Sequence, residues 1–160
     1  MNSRPNGLDR RGQSDTLRHR RADCCHAAGP KTRSHVITSR RILVVEDEPA
    51  IRSLVTAILV AQGYDVDEAG DGLEALRCLD ERTYDLIVSD MVMPGLDGPG
   101  LYHELQRRAP ESPLRLLFVS GSSSASAYAE FLATAKVPVL EKPFNLDDLC
   151  RAVEQMLAAV

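Results

Sequence analysis

Ile42-Leu43-Val44-Val45-Glu46-Asp47-Glu48-Pro49 is the stretch on which the fold turns. Four consecutive apolar residues read as a strand buried on both faces, because a strand wet on one face would alternate. The run breaks into three acids and then a proline, which suits the first position of a helix. Beyond it Ile51, Leu54, Val55, Ile58 and Leu59 recur at i, i+3, i+4, i+7 and i+8, one inward stripe that Gly63 closes. Strand, acidic turn, helix: the rest of the chain repeats this unit.

Tyr64-Asp65-Val66-Asp67 alternates as a half-wet strand, and a helix from about Asp71 to Arg82 carries Leu73, Leu76 and Leu79 inward. Leu86-Ile87-Val88 is a second buried run, ending at Ser89-Asp90, and a loop over 91–98 leads to a helix over roughly 99–109. Leu114 to Val119 makes a fourth strand ending at Ser120-Gly121. A fourth helix near 125–135 is weak, since Ser122, Ser123, Ser124 and Ser126 disfavour helix interiors. Val137-Pro138-Val139-Leu140 makes a fifth strand whose proline demands an edge. Asn145 caps a last helix with Leu146, Leu149, Cys150, Val153 and Leu157 on one face. Five β–α units in series imply an α/β fold, a five-stranded parallel sheet with helices on both faces. Edge character in the second and fifth strands selects the order 2-1-3-4-5, the flavodoxin-like doubly wound arrangement.

Composition divides the 160 residues in two. Residues 1–41 hold ten Arg and Lys against three Asp, with Leu8, Leu17, Val36 and Ile37 as nearly all their bulky apolar side chains. Such a segment cannot bury enough surface to offset its ordering entropy, so it is expected to be a basic disordered tail. The folded domain is expected over 42–160, where twenty acids face nine bases. The tail has no aromatic residue to stack on bases and no amphipathic period, which argues against direct nucleic-acid or membrane contact. Its Cys24, Cys25, His26 and His35 are metal-ligand types, but adjacent cysteines do not match zinc spacing. No apolar run approaches the roughly 20 residues of a membrane span. Four cysteines in no regular framework suggest a reducing compartment, the cytoplasm. Cys78 and Cys150 are expected on helix core faces, and His103 on the surface.

In a doubly wound sheet the site lies beyond the carboxyl ends of the strands, at the switch point. Glu46 and Asp47 stand at the end of the first strand, Asp90 of the third, Ser120 of the fourth and Lys142 of the fifth. Three convergent carboxylates repel and call for a cation; oxygen donors alone suit a hard one, Mg²⁺. Lysine and hydroxyl beside them complete the equipment for holding a tetrahedral phosphoryl group, and a carboxylate there can be its nucleophile.

The runs Val44-Val45-Glu46-Asp47-Glu48-Pro49 and Asp90-Met91-Val92-Met93-Pro94-Gly95-Leu96-Asp97-Gly98, the step Val119-Ser120-Gly121 and the triplet Lys142-Pro143-Phe144 together resemble a response regulator receiver domain. Receivers are the phosphoacceptor modules of two-component systems, and the resemblance covers about 42–158. It implies that Asp90 is the phosphorylated aspartate and that Asp47 binds Mg²⁺ directly, with Glu46 acting through water. It also implies that the Val92 backbone carbonyl is the remaining protein ligand, Ser120 the switch hydroxyl, and Lys142 the phosphoryl contact ahead of a cis proline. The family's aromatic switch position is Val139 here, so its ring-turning output is not expected. Leu117-Phe118-Val119-Ser120-Gly121 looks more like receivers of hybrid histidine kinases.

The resemblance further implies a partner that is a histidine kinase or a histidine phosphotransfer protein, a non-enzymatic signalling role, and weak homodimerisation left open. With no residues after Val160, output by protein contact is expected, through a face of the fourth helix, fifth strand and fifth helix made apolar by Ala125, Ala127, Tyr128, Phe131 and Leu132. Two other readings compete. A degenerate receiver used as an adaptor conflicts with five chemically competent site residues. A Mg²⁺-dependent aspartyl phosphohydrolase wants an acid two residues after the nucleophile, where this chain has Val92.

Overall fold

Strand β1 (Arg41–Val45) is paired in parallel with β2 (Asp65–Ala69) on one side and β3 (Leu86–Asp90) on the other. β4 (Leu116–Gly121) and β5 (Val139–Lys142) complete a five-stranded parallel sheet in the order 2-1-3-4-5, the arrangement expected from the edge character of its outer strands. This computed structural model describes residues 39–108, 115–121 and 128–158. The basic segment expected to be disordered falls, except for its last three residues, outside the described residues. So do Ser122, Ser123, Ser124 and Ser126, with Ala125 and Ala127.

The described chain starts before Ile42. Arg41 opens β1 in register with Asp65, and the Asp65 N–H donates to the Arg40 carbonyl at 3.0 Å.

Helices α1 (Pro49–Ala61) and α5 (Leu146–Ala158) cover one face of the sheet; α2 (Gly72–Glu81), α3 (Gly98–Arg108) and α4 (Ala129–Ala135) cover the other. The first core layer joins Ile42, Val44, Leu86, Val88, Leu117 and Val119 to Val55, Leu59, Leu149 and Val153. The second joins Leu43, Val45, Ile87, Leu116 and Phe118 to Leu76, Leu101 and Leu105. Alternation along each buried strand sends its side chains to both layers.

Local chemistry sets the helix ends. Asp71 caps α2 by accepting from the Glu74 N–H at 2.7 Å. Asn145 caps α5 through the Asp148 N–H at 2.9 Å. Gly63, at φ +91°, ends α1 where a side chain would be strained. Gly98 serves close approach: a Cβ there would lie 2.8 Å from the Phe118 ring and 3.0 Å from the Asp90 carbonyl oxygen.

Several expected core positions point outward. Leu54, Leu73 and Leu146 are half exposed, because the sheet covers only part of each helix and these residues sit at the edge of the apolar stripe. Thr56 is buried instead. Cys78 is buried as expected, whereas Cys150 is only partly so. The described fourth helix is seven residues long and begins after Tyr128. Tyr128, Phe131 and Leu132, expected to make an apolar outer face, are packed against the second core layer. Aromatic neighbours draw Phe131 inward, with Tyr102 at 5.3 Å and Phe118 at 5.9 Å between ring centroids, both edge-on.

Candidate functional site

Parallel strands that all run the same way deliver their terminal residues to one rim. Glu46 follows β1 directly and its N–H extends the ladder to the Ala69 carbonyl at 3.1 Å. Asp90 ends β3, and the Met91 N–H continues that ladder to the Val119 carbonyl. Ser120 and Lys142 sit at the ends of β4 and β5, one register step apart. The Lys142–Pro143 bond is cis.

Glu46, Asp47 and Asp90 each bring a carboxylate oxygen within 4.8 Å of the others. Glu46 and Asp90 are buried, while Asp47 is exposed at the mouth. The Lys142 ammonium bridges the two buried acids, donating to Asp90 Oδ1 at 2.7 Å and Glu46 Oε2 at 2.8 Å. The second oxygen of Asp90 accepts the Val92 N–H at 2.9 Å. The Val92 side chain itself is half exposed. Ser120 is fully buried, and its hydroxyl donates to the Gly121 carbonyl at 3.2 Å. Glu46, Asp47, Asp90 and Lys142 therefore meet at the carboxyl rim of one sheet, and Ser120 stands at the same rim near the end of β4.

The charges are unbalanced. Burial pushes the Glu46 carboxyl above its ordinary pKa, the Asp90 charge adds to this, and the Lys142 hydrogen bond only partly opposes it. Burial also works against the Lys142 charge, but its hydrogen bonds to Asp90 and Glu46 prevail and hold its pKa above the ordinary lysine value. One ammonium thus serves a cluster of three acids. Such a donor set, all carboxylate oxygen with no histidine or cysteine, can hold a hard divalent cation.

Two contacts were not legible in the sequence. Arg52 on α1 reaches back to donate to the Glu46 carbonyl at 2.6 Å. The Tyr128 hydroxyl lies 3.3 Å from Asp97 Oδ2, linking the start of α4 to the loop after β3. The available signal for Arg52 was its position as the sole charge in a mostly apolar helix.

Among the described residues no helix is long and apolar enough to cross a membrane. Residues 42–154 match the response regulator receiver domain. The chain is 37% identical over 147 residues to the sensor kinase CckA of Brucella abortus, covering 88% of this chain and 15% of the kinase. It is 35% identical over 122 residues to the response regulator receiver protein CpdR of the same organism, covering 75% of this chain and 98% of that protein. Among solved structures, the response regulator TrrA of Thermotoga maritima in complex with Mg²⁺-BeF superposes with a TM-score of 0.64 at 33% identity. That match covers 74% of this chain and 99% of TrrA.

Proposed function

This chain belongs to the response regulator receiver family and is a receiver domain of two-component signalling; we propose that Asp90 takes a phosphoryl group from a histidine kinase or a histidine phosphotransfer protein. The observation that carries the reading is Lys142 bridging Asp90 and Glu46 at 2.7 and 2.8 Å inside a cluster of three acids. A cation already paired to the candidate nucleophile is where a phosphoryl oxygen would need one.

In this reading an Asp90 carboxylate oxygen attacks phosphorus, an O–P bond forms, and the P–N bond to the donor histidine breaks with its electron pair leaving on nitrogen. The Val92 N–H fixes the Asp90 rotamer by holding Oδ2. Lys142 exchanges a carboxylate partner for a phosphoryl oxygen. The Ser120 hydroxyl turns from the Gly121 carbonyl to donate to another. Glu46, Asp47, Asp90 and the Val92 backbone carbonyl would hold Mg²⁺, as the Mg²⁺-BeF complex of TrrA supports. When bound, Mg²⁺ neutralises the acids and the phosphoryl charge that would otherwise repel one another.

The phosphorylated rim is read, we further hold, in the cytoplasm by a protein partner. The surface over α4, β5 and α5 suits this, with Ala129, Glu130, Ala133 and Glu141 exposed on it. Val139 is half-buried against the core and too small for a ring-turning switch, so Ser120 carries the change.

Intact-protein mass spectrometry after treatment with acetyl phosphate and Mg²⁺ tests the assignment. Wild type should gain one hydroxylamine-labile phosphoryl group, and Asp90→Asn none while keeping its thermal melt. A variant that still gains the group would overturn the role of Asp90.

A further inference from the structure

Arg52 is the single charged residue of α1, and it does not point to solvent. Its side chain is 19% exposed, with Nε 3.5 Å from Glu68 Oε2 on β2 and Nη1 2.6 Å from the Glu46 carbonyl oxygen. The Glu46 N–H is held by the Ala69 carbonyl, so both backbone polar groups of Glu46 are fixed. Its carbonyl lies in the same rigid plane as the Asp47 nitrogen. Clamping that oxygen therefore fixes where Asp47 leaves the strand. Behind the guanidinium the chain is close-packed: a Cβ on Gly70 would sit 3.4 Å from Arg52 Nη1 and 3.3 Å from Glu74 Oε2. The Gly70 N–H donates to that Glu74 oxygen at 2.6 Å, so β2 supplies a firm seat.

We infer that Arg52 is a positioning residue of the acidic site: by clamping the Glu46–Asp47 peptide it sets the direction in which both carboxylates face a divalent cation. The inference rests on the reading that this cluster takes Mg²⁺. Two effects of the guanidinium have opposite signs and can be separated. As a bare charge near the cluster it would repel Mg²⁺, so its removal would tighten binding. As a clamp it preorganises the donors, so its removal weakens binding. The Glu68 partner offsets the charge, and the short bond to a backbone oxygen favours the clamp.

Mg²⁺ titrations by calorimetry on wild type, Arg52→Ala, Arg52→Lys and Glu68→Gln, with thermal melts without metal, test this. Arg52→Ala should weaken Mg²⁺ binding about tenfold, the lower end for outer-shell partners of metal ligands. Arg52→Lys should recover part of that loss, and Glu68→Gln should lose less than Arg52→Ala. Acetyl phosphate labelling of Arg52→Ala should need more Mg²⁺ yet reach the wild-type rate at saturation, a split that general destabilisation would not produce. Unchanged or tighter binding by Arg52→Ala beside a binding wild type would overturn this inference alone. No binding by wild type would overturn the metal reading and this inference with it. If Arg52→Ala melts early, Arg52→Lys and Glu68→Gln decide: wild-type affinity in both defeats the clamp.

Discussion

The two ends of the sheet are both rich in charge and handle it in opposite ways. At the amino rim each acid has its own basic partners. Asp85 accepts from Arg40 Nη1 and the Arg41 N–H, both at 2.8 Å, with Arg115 at 3.9 Å. Asp65, at the start of β2, pairs with Arg41 at 3.1 Å, and Asp67, midway along that strand, pairs with Arg82 at 3.1 Å. At the carboxyl rim three acids cluster, and the Lys142 ammonium bridges two of them, Glu46 and Asp90. The carboxyl groups respond accordingly. Burial tends to raise Asp85, but its hydrogen bonds win and hold it below the ordinary aspartate range, whereas burial keeps Glu46 above the ordinary glutamate range. One rim is neutralised in place, and the other keeps an excess of acids that could hold a cation.

The largest effect should come from supplying that cation. At Mg²⁺ a hundredfold above its dissociation constant, mass action adds about 2.7 kcal/mol to the stability of the native state. That is worth several degrees in melting temperature for a domain of this size. Asp47→Asn should remove most of the Mg²⁺-dependent rise and leave the metal-free melt unchanged or slightly higher, since one repelling carboxylate is gone. A full Mg²⁺ shift in this variant would erase the distinction between the rims.

The amino rim should answer to pH instead. A carboxyl held below its unfolded pKa contributes stability that is fully present above the unfolded value and lost as pH falls through the folded one. Asp85→Asn should therefore cost about 1 kcal/mol near neutrality, the scale of hydrogen bonds to a partly solvated charge. The gap to wild type should close as the solution is acidified below the ordinary aspartate range, and Mg²⁺ should not alter it. Urea unfolding at a series of pH values reads this directly. A gap that widened in acid would reverse the sign of the Asp85 argument.

The carboxyl rim was legible in the sequence because its residues are punctuation. Apolar runs at 42–45 and 86–88 give way to Glu46-Asp47 and to Ser89-Asp90, and a strand's end is where a parallel sheet puts its site. The amino rim was not, since Arg40 meets Asp85 across 45 positions, and nothing local marks the pair. Periodicity found α1 and α2 but misplaced Leu54 and Leu73, because spacing defines a stripe without saying how much of it the sheet covers. Phe131 read as surface for the same reason: its inward partners, Phe118 and Tyr102, come from elements distant in sequence. Arg52 was hidden by its type, since a charge on a helix ordinarily reads as solvated.

Thr56 offers the smallest effect and a control that belongs to neither rim. It sits midway along α1, buried, and its hydroxyl has no hydrogen-bond partner among the described residues. A desolvated hydroxyl without a partner is a net cost, and valine has nearly the same shape without it. Helix propensity barely separates the two residues. Thr56→Val should therefore raise stability by about 0.5–1 kcal/mol, a few degrees in melting temperature. Because no titrating group and no metal ligand is involved, the gain should be equal at pH 5 and pH 8, and with or without Mg²⁺. Differential scanning calorimetry under those four conditions suffices. A gain that tracked Mg²⁺ would mean that α1 transmits strain to the acidic loop through its packing, and the carboxyl rim would then extend into the core beneath it. A loss of stability would mean that the hydroxyl is bonded after all, most simply to a carbonyl of its own helix.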